Sequence, residues 1–332
     1  MNKKKYKAAL IGCGKIGAEI GNYSKNVQPA THAAALQGHP SVNLVAFVDT
    51  DRERLKVVQG YFPGIPVFDS ASEMFKKIKP DIVSIATQAD SHCQLVKLAA
   101  KARTKAIICE KPISTSLKQA KEMIKTCRRN KSLLFMNHQR RFDPLLKKWQ
   151  GKIHQGVLGN LLQGSCYYYN GLFNSGTHII DFLRFFLGEV SWVKGFVNEE
   201  TSNLKEDKNI DTMIVFKNKC RVTLQSLSKN YGFASWYFYG TKGRIAFENL
   251  GYEVEYRKSI ENKHYKNYYQ LSDPISREGK PRSFMKSTIN HVVNCLEKKD
   301  VPTGTGEDGL AALEVLLAIK KSSQQNGKTI KL

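Results

Sequence analysis

Acidic residues are scarce in this chain: 29 Asp and Glu stand against 52 Lys and Arg, a formal charge of +23 over 332 residues. Such an excess has three sources: a lysine-rich solvated surface, attraction for phosphate-bearing metabolites, or nucleic acid. The lysines run from Lys3 to Lys331 without a basic arm, a helix-turn-helix pattern or a zinc spacing, which argues against nucleic acid. Cysteine pairs are lacking too. The seven cysteines, at 13, 93, 109, 127, 166, 220 and 295, form no CxxC and sit mostly in apolar runs such as AIICE. Reduced, buried thiols in a cytoplasmic protein are expected, with neither metal nor disulfide framework. Long apolar runs are absent; residues 315–319 fall far short of the ~20 needed to cross a membrane, so no membrane partner is expected. The opening MNKKK followed by AALIGC imitates a lipoprotein signal, but its apolar segment, residues 8–13, is shorter than the ~7–15 residues of such a region. No period of roughly 20–50 residues recurs, which excludes a solenoid.

What remains is ordinary globular composition, 41% hydrophobic and 24% charged, at a length suited to two domains. In the first half, apolar runs at 8–11, 44–48, 82–86, 106–109 and 133–136 alternate with helical stretches such as 73–77, 93–101 and 118–127. Nearly continuous apolar strands are those of a parallel sheet covered on both faces. After about residue 150 the texture changes. A helix over 177–187 precedes alternating segments at 191–197, 212–216, 221–226, 236–239 and 243–247, separated by turn signals, and then helices over 284–296 and 310–323. The pattern predicts a doubly wound α/β domain over 1–137 and an α+β domain over 138–332, with room for the C-terminal helix to pack back on the first.

Gly12-Cys13-Gly14-Lys15-Ile16-Gly17 is GxGxxG, placed after a strand and read as opening a helix. Its glycines suit a tight turn, close approach to a pyrophosphate and close helix–strand packing, with phosphate on the helix N-terminus. Asp49, at the end of the second strand, is the candidate acceptor for an adenosine ribose hydroxyl; the other reading is a helix N-cap. Its distance from Gly12 exceeds the usual ~20 residues, so an insertion around residues 22–31 is expected. A carboxylate there favours NAD over NADP, with nearby Arg52 leaving room for dual use.

Taken with Glu110-Lys111-Pro112, DIVSIATQADSH and a later Asn-x-x-x-His, these motifs resemble the Gfo/Idh/MocA family of NAD(P)-dependent sugar and cyclitol dehydrogenases. The resemblance runs over essentially the whole chain. It implies an α/β Rossmann domain plus a domain with a large open, mainly antiparallel sheet, paired with other subunits as a dimer or tetramer. It implies that Lys111 lies near the reacting carbinol, that Glu110, Thr87, Gln88 and His92 belong to the cofactor site, and that His178 is the catalytic histidine. Gln88 stands where many relatives have proline. The chemistry agrees: an imidazole titrating near ~6.5 can take a hydroxyl proton, and an ammonium can stabilise a developing alkoxide. A surface lysine and a satisfied core histidine are the competing readings.

Asn174 departs from the aspartate many relatives carry four residues before this histidine. It resembles the nucleotide-sugar branch, whose members oxidise the 3-hydroxyl of UDP-N-acetylhexosamines or their uronic acids in surface-polysaccharide biosynthesis. The ketone then passes to an aminotransferase. Arg140 and Arg141 are candidates for the diphosphate, or a surface pair neutralised by carboxylates. Tyr169, in the cluster Tyr167-Tyr168-Tyr169, is a candidate for sugar or uracil, or part of the core. The expected function is therefore an NAD-dependent nucleotide-sugar dehydrogenase. The alternatives are a dehydrogenase of free sugars or inositol and a non-catalytic NAD sensor.

Overall fold

The computed structural model describes residues 5–19, 25–232 and 234–332. Residues 1–4 of the signal-like opening and residues 22–24 of the expected insertion lie outside the described residues. The chain divides into two compact units, residues 1–143 with 282–311 and residues 144–281 with 312–332.

In the first unit, β1 (Tyr6–Ile11), α1 (His32–Gln37), β2 (Val42–Val48), α2 (Arg52–Tyr61), β3 (Val67–Phe68), α3 (Ala71–Lys77), β4 (Ile82–Ile85), α4 (Ala89–Lys101), β5 (Ala106–Cys109), α5 (Leu117–Asn130) and β6 (Leu133–Met136) alternate. The six strands are parallel, in the order β3-β2-β1-β4-β5-β6. Strand order therefore reverses between β1 and β4, the point at which open α/β sheets leave a crevice beyond their carboxyl ends. Every residue of β4 and β5 is buried, as helices on both faces require.

The expected division at 137/138 moves to 143/144, and the second domain is not contiguous. The helix Phe284–Leu296 belongs to the first unit, because Met285, Ile289, Val292 and Val293 form one apolar stripe buried with Leu10, Ala33 and Leu36.

The second unit holds α6 (Pro144–His154), β7 (Leu161–Tyr168), α7 (Thr177–Leu187), β8 (Val190–Val197), β9 (Ile210–Phe216), β10 (Arg221–Ser226), β11 (Trp236–Gly240), β12 (Gly243–Glu248), β13 (Glu253–Glu261), β14 (Tyr269–Leu271), β15 (Ser276–Gly279) and β16 (Ile330–Lys331). They form a ten-stranded sheet, β14-β13-β12-β11-β7-β10-β9-β8-β16 with β15 beside β13, antiparallel except for β7 with β10. One face packs on α7: Phe182 stacks on Trp236 at 4.2 Å between centroids, and Phe186 meets Phe247 at 4.7 Å. The other face shows in β10, where Arg221, Thr223 and Gln225 are exposed between buried Val222, Leu224 and Ser226. Among the described residues no helix is long and apolar enough to cross a membrane.

Candidate active site

The glycine turn is built by crowding. Gly12 leaves β1 at φ +96°, and a Cβ there would stand 2.7 Å from the Ala86 carbonyl at the end of β4. A Cβ on Gly17 would overlap the Gly12 carbonyl oxygen. Gly14 differs: its nearest neighbour would be the Arg54 guanidinium at 3.6 Å, so its missing side chain leaves open space on the turn. A dinucleotide pyrophosphate needs that space, and on this observation the turn fits the group. Lys15 is exposed and Ile16 half-buried beside it.

The helix expected after the motif completes one turn, in which Ala18 N–H donates to the Gly14 carbonyl at 3.0 Å, and the chain then departs. It returns at α1, where His32 N–H donates to Ile16 at 3.1 Å and Ala33 N–H to Gly17 at 2.9 Å. Those acceptors lie sixteen residues back instead of the four of an unbroken α-helix, so twelve residues are spliced into one helical register. The long spacing between Gly12 and Asp49 follows from this splice.

Asp49 is buried. Its Oδ2 accepts from Cys13 N–H at 2.7 Å and its Oδ1 from Asp51 N–H at 2.9 Å, which ties the glycine turn to the end of β2. The N-cap of α2 is Asp51, whose side chain accepts from Glu53 and Arg54 N–H. A carboxylate offers about four acceptor positions, and these two bonds leave Asp49 capacity for a ribose hydroxyl. Arg52 turns outward to Asp69; Arg54 instead reaches over the turn, 3.9 Å from Asp49.

Beyond β4 and β5 lie the other expected residues. Thr87 Oγ1 bonds Ser91 Oγ at 2.6 Å, and Gln88 is the N-cap of α4. His92 is fully buried, with its ring nitrogens 3.0 Å from the Pro112 carbonyl and 3.1 Å from the Thr87 carbonyl. Its ring therefore fixes two turns to one another and presents no polar atom of its own to a cofactor. Glu110 also looks inward: its Oε1 takes His32 Nε2 at 2.9 Å and Asn137 Nδ2 at 2.5 Å, and its Oε2 takes the Lys111 N–H at 3.3 Å. Burial alone would raise its pKa. The hydrogen bonds from His32 and Asn137 and the charge of Lys111 outweigh this and hold it at about 2. Sequence reasoning missed His32, which stands in no motif, and saw Arg54 and Asn137 only as parts of the stretches VAFVDTDRER and NHQRRF.

Arg141 corrects an expectation. It is buried, with its guanidinium on Asp308 at 3.3 Å, and so belongs to the core of the first unit and not to a substrate surface. Arg140 is half-buried, 5.6 Å from the Phe284 ring.

In the second unit, Tyr168 is core: its hydroxyl donates to the Ile210 carbonyl and accepts from the Ile210 N–H. Tyr169, just past β7, is half-buried. A π-helical turn, Gly171–Gly176, then leads into α7 and carries Asn174, which is exposed; His178 follows, half-buried, in the first turn of α7. Such turns concentrate at functional sites. Its free N–H groups are capped by a loop the sequence did not single out: Asp207 accepts from Phe173 N–H at 2.9 Å and Asn174 N–H at 2.8 Å, and Asn209 accepts from Gly171 N–H at 2.8 Å.

The profile of an oxidoreductase family with an NAD-binding Rossmann fold matches residues 6–138, and that of the same family's C-terminal alpha/beta domain matches residues 171–332. The chain is 26% identical to a D-apiose dehydrogenase of Paraburkholderia graminis over 99% of its own length and 90% of the relative's. It is 24% identical to a myo-inositol 2-dehydrogenase of Thermotoga maritima, over 97% of both. Its fold is similar to that of the WlbA dehydrogenase of Bordetella pertussis, solved with NADH and UDP-GlcNAcA: TM-score 0.80 at 20% identity, over 100% of this chain and 99% of that one. With both halves matched in order, the chain belongs to the Gfo/Idh/MocA oxidoreductase family and its first domain is an NAD-binding Rossmann domain.

Proposed function

We propose that this oxidoreductase acts on a nucleotide-linked sugar, oxidising the 3-hydroxyl of a UDP-N-acetylhexosamine, with UDP-N-acetylglucosamine or its uronic acid the leading substrate. NAD, when bound, supplies the nicotinamide C4 that accepts hydride. The chain's own residues manage the charge and the proton. The Lys111 ammonium polarises the reacting oxygen and stabilises negative charge as it develops there. An imidazole nitrogen of His178 takes the hydroxyl proton. The Asn174 amide holds that imidazole or a substrate hydroxyl, and Asp49 accepts from the adenosine ribose, which favours NAD over its phosphorylated form.

The observation that carries the reading is Asn174, an exposed amide in place of a carboxylate, on a π-helical turn four residues before His178. The similarity to WlbA, solved with UDP-GlcNAcA, supports it. A second reading, oxidation of a free sugar or cyclitol, is favoured by the apiose and inositol dehydrogenases among the relatives and by the commitment of Arg141 to Asp308, which removes one of the two arginines expected for a diphosphate.

The test is NADH formation with UDP-N-acetylglucosamine, its uronic acid, D-apiose and myo-inositol. Turnover of a nucleotide sugar with competitive inhibition by UDP is expected; turnover of the free polyols without inhibition by UDP would replace this reading with the second. The ketone formed suits a downstream aminotransferase, and added glutamate and a 3-aminotransferase should draw the reaction forward. The open face of the ten-stranded sheet is proposed as a surface for self-association.

A further inference from the structure

We infer that His32 is a positioning residue for Lys111, acting through Glu110. His32 is wholly buried in the first unit, and both ring nitrogens are engaged: Nδ1 with Ser84 Oγ at 2.5 Å and Nε2 with Glu110 Oε1 at 2.9 Å. An ionised carboxylate accepts only, so Nε2 carries the proton toward Glu110 and the Ser84 hydroxyl donates to Nδ1. Thr288 Oγ1 donates to Asn137 Oδ1 at 3.2 Å, and Asn137 Nδ2 donates to the same Glu110 oxygen. His32 of α1 and Asn137 at the end of β6 thus both donate to one buried carboxylate, and Ser84 of β4 and Thr288 of the helix Phe284–Leu296 hold those two donors in place. That carboxylate holds the backbone N–H of Lys111 with its other oxygen.

This arrangement is more than packing requires. A buried carboxylate is costly, and apolar groups of similar volume serve stability as well or better. What the network adds is orientation: Glu110 keeps one rotamer, and the turn that starts at Lys111 is fixed by it. The splice in the first helix makes this possible, because α1 resumes the interrupted register and thereby brings position 32 over the ends of β4 and β5.

Trace labelling of lysines with dinitrofluorobenzene, read by peptide mass spectrometry across pH 7–11, tests this in the protein without substrate. In His32→Leu, Glu110 loses a donor and is free to turn toward the Lys111 ammonium. Lys111 should then label at least threefold more slowly, with Lys105 and Lys118 unchanged. His32→Gln, whose amide can still donate to Glu110, should label like the parent. Should His32→Leu fail to fold, Ser84→Ala carries the test, with at least a twofold slowing expected. Unchanged or faster Lys111 labelling in the folded variants overturns the inference.

The consequence for turnover rests on the proposed role of Lys111. In His32→Leu, kcat should fall by about 10–100-fold, with KM for NAD within threefold and a displaced pH profile. Full turnover in Lys111→Ala would remove that role and leave the labelling result standing, so the two failures are distinguishable.

Discussion

At Gly17 a single methyl group separates two explanations of a glycine. A Cβ there overlaps the Gly12 carbonyl oxygen and lies 3.3 Å from Cys13 Cα, so Gly17→Ala must open the junction between β1 and the following helix. Overpacking of this kind costs roughly 1–3 kcal/mol. Melting should reveal that loss together with an NAD affinity reduced at least tenfold. Gly14→Ala meets nothing closer than Arg54 at 3.6 Å. It should keep its melting temperature and lose NAD binding alone, and equal destabilisation of the two would refute the distinction. Glu110 makes a pH-dependent prediction. Burial pushes its carboxyl upward, yet His32, Lys111 and Asn137 bring it from 4.5 down to about 2. A depressed folded-state value means the stabilisation is complete above pH 4.5 and is lost as pH falls toward 2. Denaturant titrations between pH 5 and 2 should therefore show a steep loss of stability in the parent and a flatter one in Glu110→Gln. Equal slopes would show that Glu110 is not held by this network.

Two elements owe their shape to loops. Since α1 continues the register of the turn after Gly17, deleting residues 20–31 and joining Glu19 to His32 should restore one continuous helix. Removing twelve residues between the two halves of the register is worth up to about 2 kcal/mol, set against the lost bond from the Ser283 hydroxyl to the Pro29 carbonyl. A folded protein that binds NAD within threefold of the parent is expected by calorimetry; an unfolded one would show that the splice is not a simple interruption. The π-helical turn before α7 depends likewise on Asp207. Asp207→Ala removes a cap worth about 1 kcal/mol and should lower kcat more than that modest destabilisation explains, while Asp207→Asn keeps part of both. Unchanged kcat in a folded Asp207→Ala would separate the turn from catalysis. The same contrast marks what could be read from sequence. Strands β5, β6 and β10 match their expected spans, because buried parallel strands are continuously apolar and a half-exposed strand alternates. Strand β13 escaped notice because Glu255 and Arg257 share its outer face with Glu253, and alternating charge imitates a loop. The glycine turn and the Glu-Lys-Pro segment were legible as local motifs. The partners that orient them were not, since His32 meets Glu110 across 78 positions and Asp207 meets Asn174 across 33.

At the scale of the molecule, the outer face of the ten-stranded sheet is the surface proposed for self-association. Met213 of β9 is 43% exposed, Tyr239 of β11 41% and Phe196 of β8 56%, all on that face, which is a heavy apolar load for solvent. The face also carries ion pairs between its strands. Arg244 and Arg257 are cross-strand neighbours bridged by Glu255 on the same face, and Glu248 and Glu253 pair four residues further along the same two strands. A two-fold axis laid through such a face sets its exposed apolar side chains against the same side chains of the partner, the isologous contact such a surface allows. Sedimentation of the parent at micromolar concentration should therefore give a dimer or larger. The double substitution Met213→Glu and Tyr239→Glu, on exposed positions that leave the inner face and α7 untouched, should shift it to monomer without changing its melting by more than a few degrees. A monomeric parent would sink the proposal outright. An oligomer indifferent to both substitutions would move the contact to another surface and leave these exposed side chains without a covering.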